Sequence, residues 1–185
     1  WGLSVSIKTF QNQVSWISNN FNIIHPNDLL NKSSLPDKSA VITFDDGFAG
    51  TFRNGIPYLV KRSIPSVIYL NMGSIIKDRP IASAIIDYLG KHSLTFKSFV
   101  KKHNLSEPYF LSMTPSLLYQ YENDYGPLDL TAIGRFQGPF ANISMIKNWC
   151  ENNLVVFGNH LYDHWNMINL DIKEIKNLYS GLLRE

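Results

Sequence analysis

Two adjacent carboxylates, Asp45 and Asp46, close the run Ala40-Val41-Ile42-Thr43-Phe44 and are followed by Gly47. The apolar, partly β-branched run reads as a buried strand, and the glycine as the turn that ends it, so both acids fall at a strand end. Like charges held close raise one another's pKa and burial adds to the cost, so such a pair calls for a metal ion or a shared proton unless it is merely an Asp-Gly turn. A second pair of candidate residues, His160 and His164, follows the apolar run Leu154–Phe157. Their i, i+4 spacing sets both imidazoles on one side if the turn is helical. Two histidines and one carboxylate make a three-ligand set that leaves a fourth position open on an ion such as Zn²⁺, which is the catalytic rather than the structural pattern.

Alternating elements must position these residues. Phe10, Val14, Ile17 and Phe21 form one stripe of a helix over about residues 6–19, which Asn19-Asn20 breaks. A short apolar piece (21–24), His25-Pro26 and a Ser/Pro/Asp-rich loop (32–39) lead to the strand before Asp45. Beyond Gly47, the segment 51–62 has helical spacing with Pro57 as a kink or start, and Ser66–Leu70 is a second buried strand. Strand, helix, strand is a βαβ unit with parallel strands, and in parallel α/β folds chemistry gathers at strand carboxyl ends.

The middle predicts short helices at 83–89, stopped by Gly90, at 94–103, and at 115–123 with Thr114-Pro115 as cap and first residue. Residues 125–140, rich in glycine and proline, read as loop. Ile143, Ile146 and Trp149 predict a helical stripe in which Cys150 packs. Segment 170–183 is a helix with Ile175, Leu178, Tyr179 and Leu182 on the face that needs a sheet to pack on.

One domain accommodates 185 residues with 44% hydrophobic content. A net charge of +2 with scattered Lys and Arg gives no argument for a nucleic-acid partner, and the loose basic cluster at 91–103 reads as a solvated helix face. The single cysteine excludes an intrachain disulfide, and no apolar run reaches the roughly 18–20 residues a membrane span needs. Neither compartment nor oligomeric state is legible.

Thr43-Phe44-Asp45-Asp46-Gly47 and His160-Leu161-Tyr162-Asp163-His164, with the flanking helix around Phe10, the segment 62–71 and Gly158-Asn159, resemble the two metal motifs of the polysaccharide deacetylases, carbohydrate esterase family four or the NodB-homology domain. The first motif, T-F-D-D-G, is unaltered; the second, H-[S/T]-x-x-H, has Leu161 at the hydroxyl position. The resemblance implies a distorted (β/α) barrel of the TIM type with residues 1–185 as its N-terminal portion. It implies Asp46, His160 and His164 as ligands of a divalent metal, usually zinc. Asp45 would be the general base toward the attacking water, and the substrate an acetylated glycan that loses N-acetyl or O-acetyl groups.

The long interval between the motifs implies an insertion at about residues 74–140. Leu161 removes a hydroxyl that orders the loop in the family, which leaves Asn159 and Asp163 as candidates to orient a histidine. The family's later motifs, carrying an oxyanion-hole tyrosine and a catalytic acid, have no counterpart after His164, so the barrel is expected to be incomplete at its C-terminus. His25, His92 and His103 lie outside any matching motif. Two other readings stand beside the deacetylase: a metal-keeping, catalytically incomplete carbohydrate-binding protein, and a hydrolase of a non-sugar amide bond. The aromatic residues Tyr119, Tyr121, Tyr125, Phe136 and Phe140 could stack on sugar or simply fill a core.

Overall fold

The computed structural model describes residues 5–182. It is a mixed α/β chain whose strands are all parallel: β1 (Asn22–Ile23) pairs with β2 (Ser39–Ala40), and β3 (Ile42–Phe44), β4 (Ser66–Leu70) and β5 (Val155–Asn159) form a sheet in that order. Among the described residues these are two open sheets. The chain divides into two compact units, one made of the residues up to Leu70 with Pro139–His160, the other of Asn71–Gly138 with the residues from Leu161 onward.

The first unit holds every strand. Helix α1 (Ile7–Asn20) begins where Ser6 accepts a hydrogen bond from the Thr9 amide, supplying a partner to one of the orphan donors of the first turn. Its stripe buries Val14, which packs with Ile42 and Leu59, while Phe10 stands 5.8 Å from the rings of both Phe44 and Tyr58. The expected single strand before Asp45 is instead split at Val41 into β2 and β3, and Thr43 is exposed. Strand side chains alternate between faces, so Ile42 and Phe44 reach the helices while Thr43 points to the other side. The short α2 (Asp28–Asn31) lies between β1 and β2. After Gly47 the chain makes a π-helical stretch, Thr51–Gly55, that runs into α3 (Ile56–Val60) with Pro57 at its start. A π turn is the local adjustment that tolerates a residue with no amide donor.

β4 coincides with the predicted Ser66–Leu70, and β5 runs to Asn159, so His160 follows the strand directly. The register pairs Phe44 with Ile68 and Ile68 with Phe157. The carboxyl ends of β3 and β5 thereby point the same way, as a parallel sheet requires.

The second unit is helical: α4 (Met72–Lys77), α5 (Ala82–His92), α6 (Leu94–Lys102), α7 (Pro115–Tyr125) and α8 (Leu130–Gln137). Thr114 caps α7 on the Leu117 amide, as its Thr-Pro pair predicts. Three expectations are corrected in this part of the chain. Gly90 does not stop α5, because it sits where Tyr109 passes close, a Cβ there meeting the ring at 3.2 Å. Residues 130–137 form a helix rather than loop: Asp129 caps the Ala132 amide and Gly138, at φ 97°, ends it. The C-terminal helix α10 (Ile172–Leu182) packs Ile175 and Leu178 on a helical core containing Phe96, Phe99, Met113 and Ile133, not on a sheet. The Leu183 end of that predicted helix, and the side chains of Tyr179 and Leu182, lie outside the described residues. Back in the first unit, α9 (Ile143–Lys147) buries Ile146, but Cys150 is exposed rather than packed.

Candidate metal centre

Asp45 and Asp46 leave the end of β3, and the two acids differ at once in environment. Asp45 is exposed, whereas Asp46 is part-buried and adopts φ 69°. Gly47 continues in the left-handed region at φ 80°, and its amide donates to the Asp45 carbonyl at 2.9 Å. A further segment braces this turn: the Ala141 amide donates to the Gly47 carbonyl at 2.9 Å and the Ala49 amide to the Pro139 carbonyl at 3.0 Å, with Phe48 and Phe140 stacked at 5.1 Å. The turn bearing Asp46 is thus held by backbone on both sides.

His160 is fixed by its own backbone, whose amide donates to the Leu70 carbonyl at the end of β4. Its Nε2 lies 3.7 Å from Asp46 Oδ1. Gly158, two residues earlier, leaves room for the Tyr69 ring, which a Cβ would meet at 2.5 Å; that ring is 6.3 Å from the imidazole of His160. The segment from His160 to His164 is not the helical turn that its spacing allowed. It is a bend in which Leu161 takes φ 66° and His164 φ 58°. Left-handed backbone at non-glycine residues costs on the order of 1–3 kcal/mol each and gathers at functional sites. Three of the seven such residues described belong to these two motif segments.

Asp46, His160 and His164 form a group that could hold a metal ion, each offering one ligand atom, with those atoms all within 4.8 Å of one another. Asp45 is outside that group. On the side of His164, the Tyr162 carbonyl accepts from the Gly73 amide at 3.0 Å and the Asp163 carbonyl from the Ala82 amide at 3.1 Å. Nδ1 of His164 is 3.2 Å from Oγ of Ser83, a residue 8% exposed. Sequence reasoning named Asn159 and Asp163 for orienting a histidine and missed Ser83, which lies eighty-one positions away on a helix with no motif. Only the fold could bring it forward.

The remaining histidines have other surroundings. His25 bonds the Asn153 carbonyl through Nε2 at 2.9 Å, His92 packs against Tyr88, and His103 against Phe99. Of the aromatic candidates, Tyr121 is core, bonded through its hydroxyl to Ser93 and Thr95, while Tyr119 and Tyr125 are exposed. Phe136 packs edge-on against Tyr88 and Phe140 stacks on Phe48.

No protein-family model matches this chain, and no curated protein matches it by sequence. Solved structures do. IcaB from Ammonifex degensii superposes with a TM-score of 0.58 at 18% identity, over 100% of this chain and 60% of that one. Two others are a de-N-acetylase from Aggregatibacter actinomycetemcomitans (TM-score 0.48, 16% identity, 88% of this chain and 47% of that one) and the BpsB deacetylase domain from Bordetella bronchiseptica (0.45, 17%, 88% and 46%). The chain spans about 60% of the length of IcaB. The likeness to IcaB is a likeness of fold, and it places this parallel α/β chain with the polysaccharide deacetylase fold that its two motifs resemble.

Proposed function

We propose that this chain belongs to a metal-dependent hydrolase that removes acetyl groups, N-acetyl in the first place, from the sugars of a glycan. The observation that carries the reading is the grouping of Asp46 and His160, just past the carboxyl ends of β3 and β5, with His164. The fold likeness to IcaB and the unaltered T-F-D-D-G run support it. We further propose that the fold is a distorted (β/α) barrel of the NodB-homology kind and that residues 74–140 are an insertion in it.

The donor set fits zinc: one carboxylate oxygen and two imidazole nitrogens, with room for a fourth ligand. Two ligands of a tetrahedral ion, each about 2.1 Å from it, stand roughly 3.4 Å apart. The 3.7 Å between Asp46 and His160 is too long for a hydrogen bond between them and close to that spacing. When bound, a zinc ion would polarise the acetamide carbonyl and acidify water beside it. Asp46 and the two histidines hold position; Asp45, exposed and next in the chain, accepts the proton of the attacking water as general base. The water oxygen joins the carbonyl carbon, the proton taken by Asp45 passes to the departing nitrogen as the C–N bond breaks, and acetate and a free amine leave.

The test measures zinc content and acetate release from an oligomer of N-acetylglucosamine. Asp46→Ala should lose zinc and activity together. Asp45→Asn should keep zinc while activity falls about 10²–10⁴-fold, the usual contribution of a general base. Retained zinc in the first variant or retained turnover in the second would remove these roles. Zinc and sugar binding by the parent protein without acetate release would make it a carbohydrate-binding protein instead.

A further inference from the structure

We infer that Ser83 is a positioning residue for His164, holding the Nδ1 side of its imidazole so that Nε2 is the nitrogen presented to a metal; this rests on the metal reading above. A neutral imidazole carries its proton on one nitrogen and its lone pair on the other, and only the lone pair can ligate. Nδ1 of His164 faces Ser83 Oγ at 3.2 Å. With the hydroxyl oxygen as acceptor, Nδ1 keeps the proton and Nε2 presents its lone pair. Metal-bound histidines ordinarily need such an acceptor on the other nitrogen.

The contact is built, not incidental. Ser83 is 8% exposed, in the first turn of α5, and the neighbouring Ala82 amide donates to the Asp163 carbonyl at 3.1 Å. The α4 backbone closes on the same segment: the Gly73 amide donates to Tyr162, and a Cβ on Gly73 would come within 2.7 Å of Asp163 Oδ1. Two helix starts therefore hold the bend whose left-handed His164 backbone needs outside support. Ser83 supplies the side chain that meets the ring.

Zinc affinity, measured by competition with a chromophoric chelator, should fall about 10–100-fold in Ser83→Ala, the usual loss when an orienting partner is removed. Ser83→Thr, which restores the hydroxyl, should recover most of it, and the melting temperature of the metal-free protein should stay within about 2 °C in both. Ring ¹⁵N shifts of metal-free protein above pH ~8, where imidazoles are ordinarily neutral, should report the Nδ1–H form of His164 in the parent and a shift toward Nε2–H in Ser83→Ala. Equal zinc affinity in the Ala variant overturns the inference, as does a loss that the Thr variant fails to rescue or that tracks a fall in metal-free stability. If the parent binds no zinc, the metal reading fails by itself; the ¹⁵N shifts then decide the Ser83 contact, an Nε2–H form in the parent overturning it.

Discussion

At the scale of single residues, the two adjacent aspartates are separated by backbone conformation. Asp46 sits at φ 69°, a region that Asn and Asp tolerate better than other side chains and that glycine occupies without strain. Under the proposed metal centre the position has two demands, a ligand oxygen and a left-handed backbone, and aspartate meets both. In metal-free protein, Asp46→Asn should change unfolding free energy little and Asp46→Gly less than Asp46→Ala. The Ala variant should be about 1 kcal/mol or more below the Gly variant, because Cβ strain is not relieved. Urea denaturation of the three variants checks the order; an Ala variant as stable as the Gly one would mean that the turn relaxes when the carboxylate is gone. All three should bind zinc more weakly than the parent, the Asn variant included, since its amide oxygen carries no charge.

Elements explain how the motifs are delivered. β4 is the central strand, between β3 and β5, and the helices covering β3 pack through Leu59, which has no exposed surface. Leu59→Ala should cost about 2–5 kcal/mol by transfer and cavity terms. Gly158 is the tighter constraint. Its missing Cβ is what lets Tyr69 lie across β5 next to the strand end that carries His160. Gly158→Ala should cost roughly 1–3 kcal/mol by overpacking, and by pushing Tyr69 it should also weaken zinc binding. Thermal melts and chelator competition on Gly158→Ala separate the two effects, and an unshifted melt would show that the ring moves aside freely. Leu59→Ala, remote in the α1–β3–α3 cluster, should lower the melt while leaving the affinity of the folded protein close to that of the parent.

For the molecule as a whole, ligands that bind only the folded state stabilise it by mass action. Zinc at about a hundred times its Kd should add about 2.7 kcal/mol. For a chain of 185 residues that corresponds to a rise of roughly 5–10 °C in melting temperature, reversed by a chelator and absent in Asp46→Ala. A melt indifferent to zinc in the parent protein would contradict the proposed centre. The two compact units each have their own apolar cluster, Val14, Ile42 and Leu59 in one and Phe96, Phe99, Met113 and Ile133 among others in the second. Core substitutions in either unit should therefore be read against its own cluster.

What the amino-acid sequence determined by itself was whatever local chemistry encodes. The Thr114 cap, the Phe10–Val14 stripe, the apolar run of β4, and the placing of Asp45, Asp46 and His160 just past strand ends were legible, because caps, periodicity and strand ends are properties of short stretches. The α8 helix escaped because Gly134 and its glycine- and proline-rich flanks imitate a loop, and only burial of Ile133 in a helical core outweighs their weak propensity. The bend at Leu161–His164, the left-handed backbone at Asp46 and the approach of Ser83 to His164 belonged to tertiary structure alone. They join residues far apart in the chain, and the strain that two of them carry persists only where surrounding hydrogen bonds hold it. The sequence named a carboxylate and two imidazoles; the fold decided how they meet and which hydroxyl faces one of them.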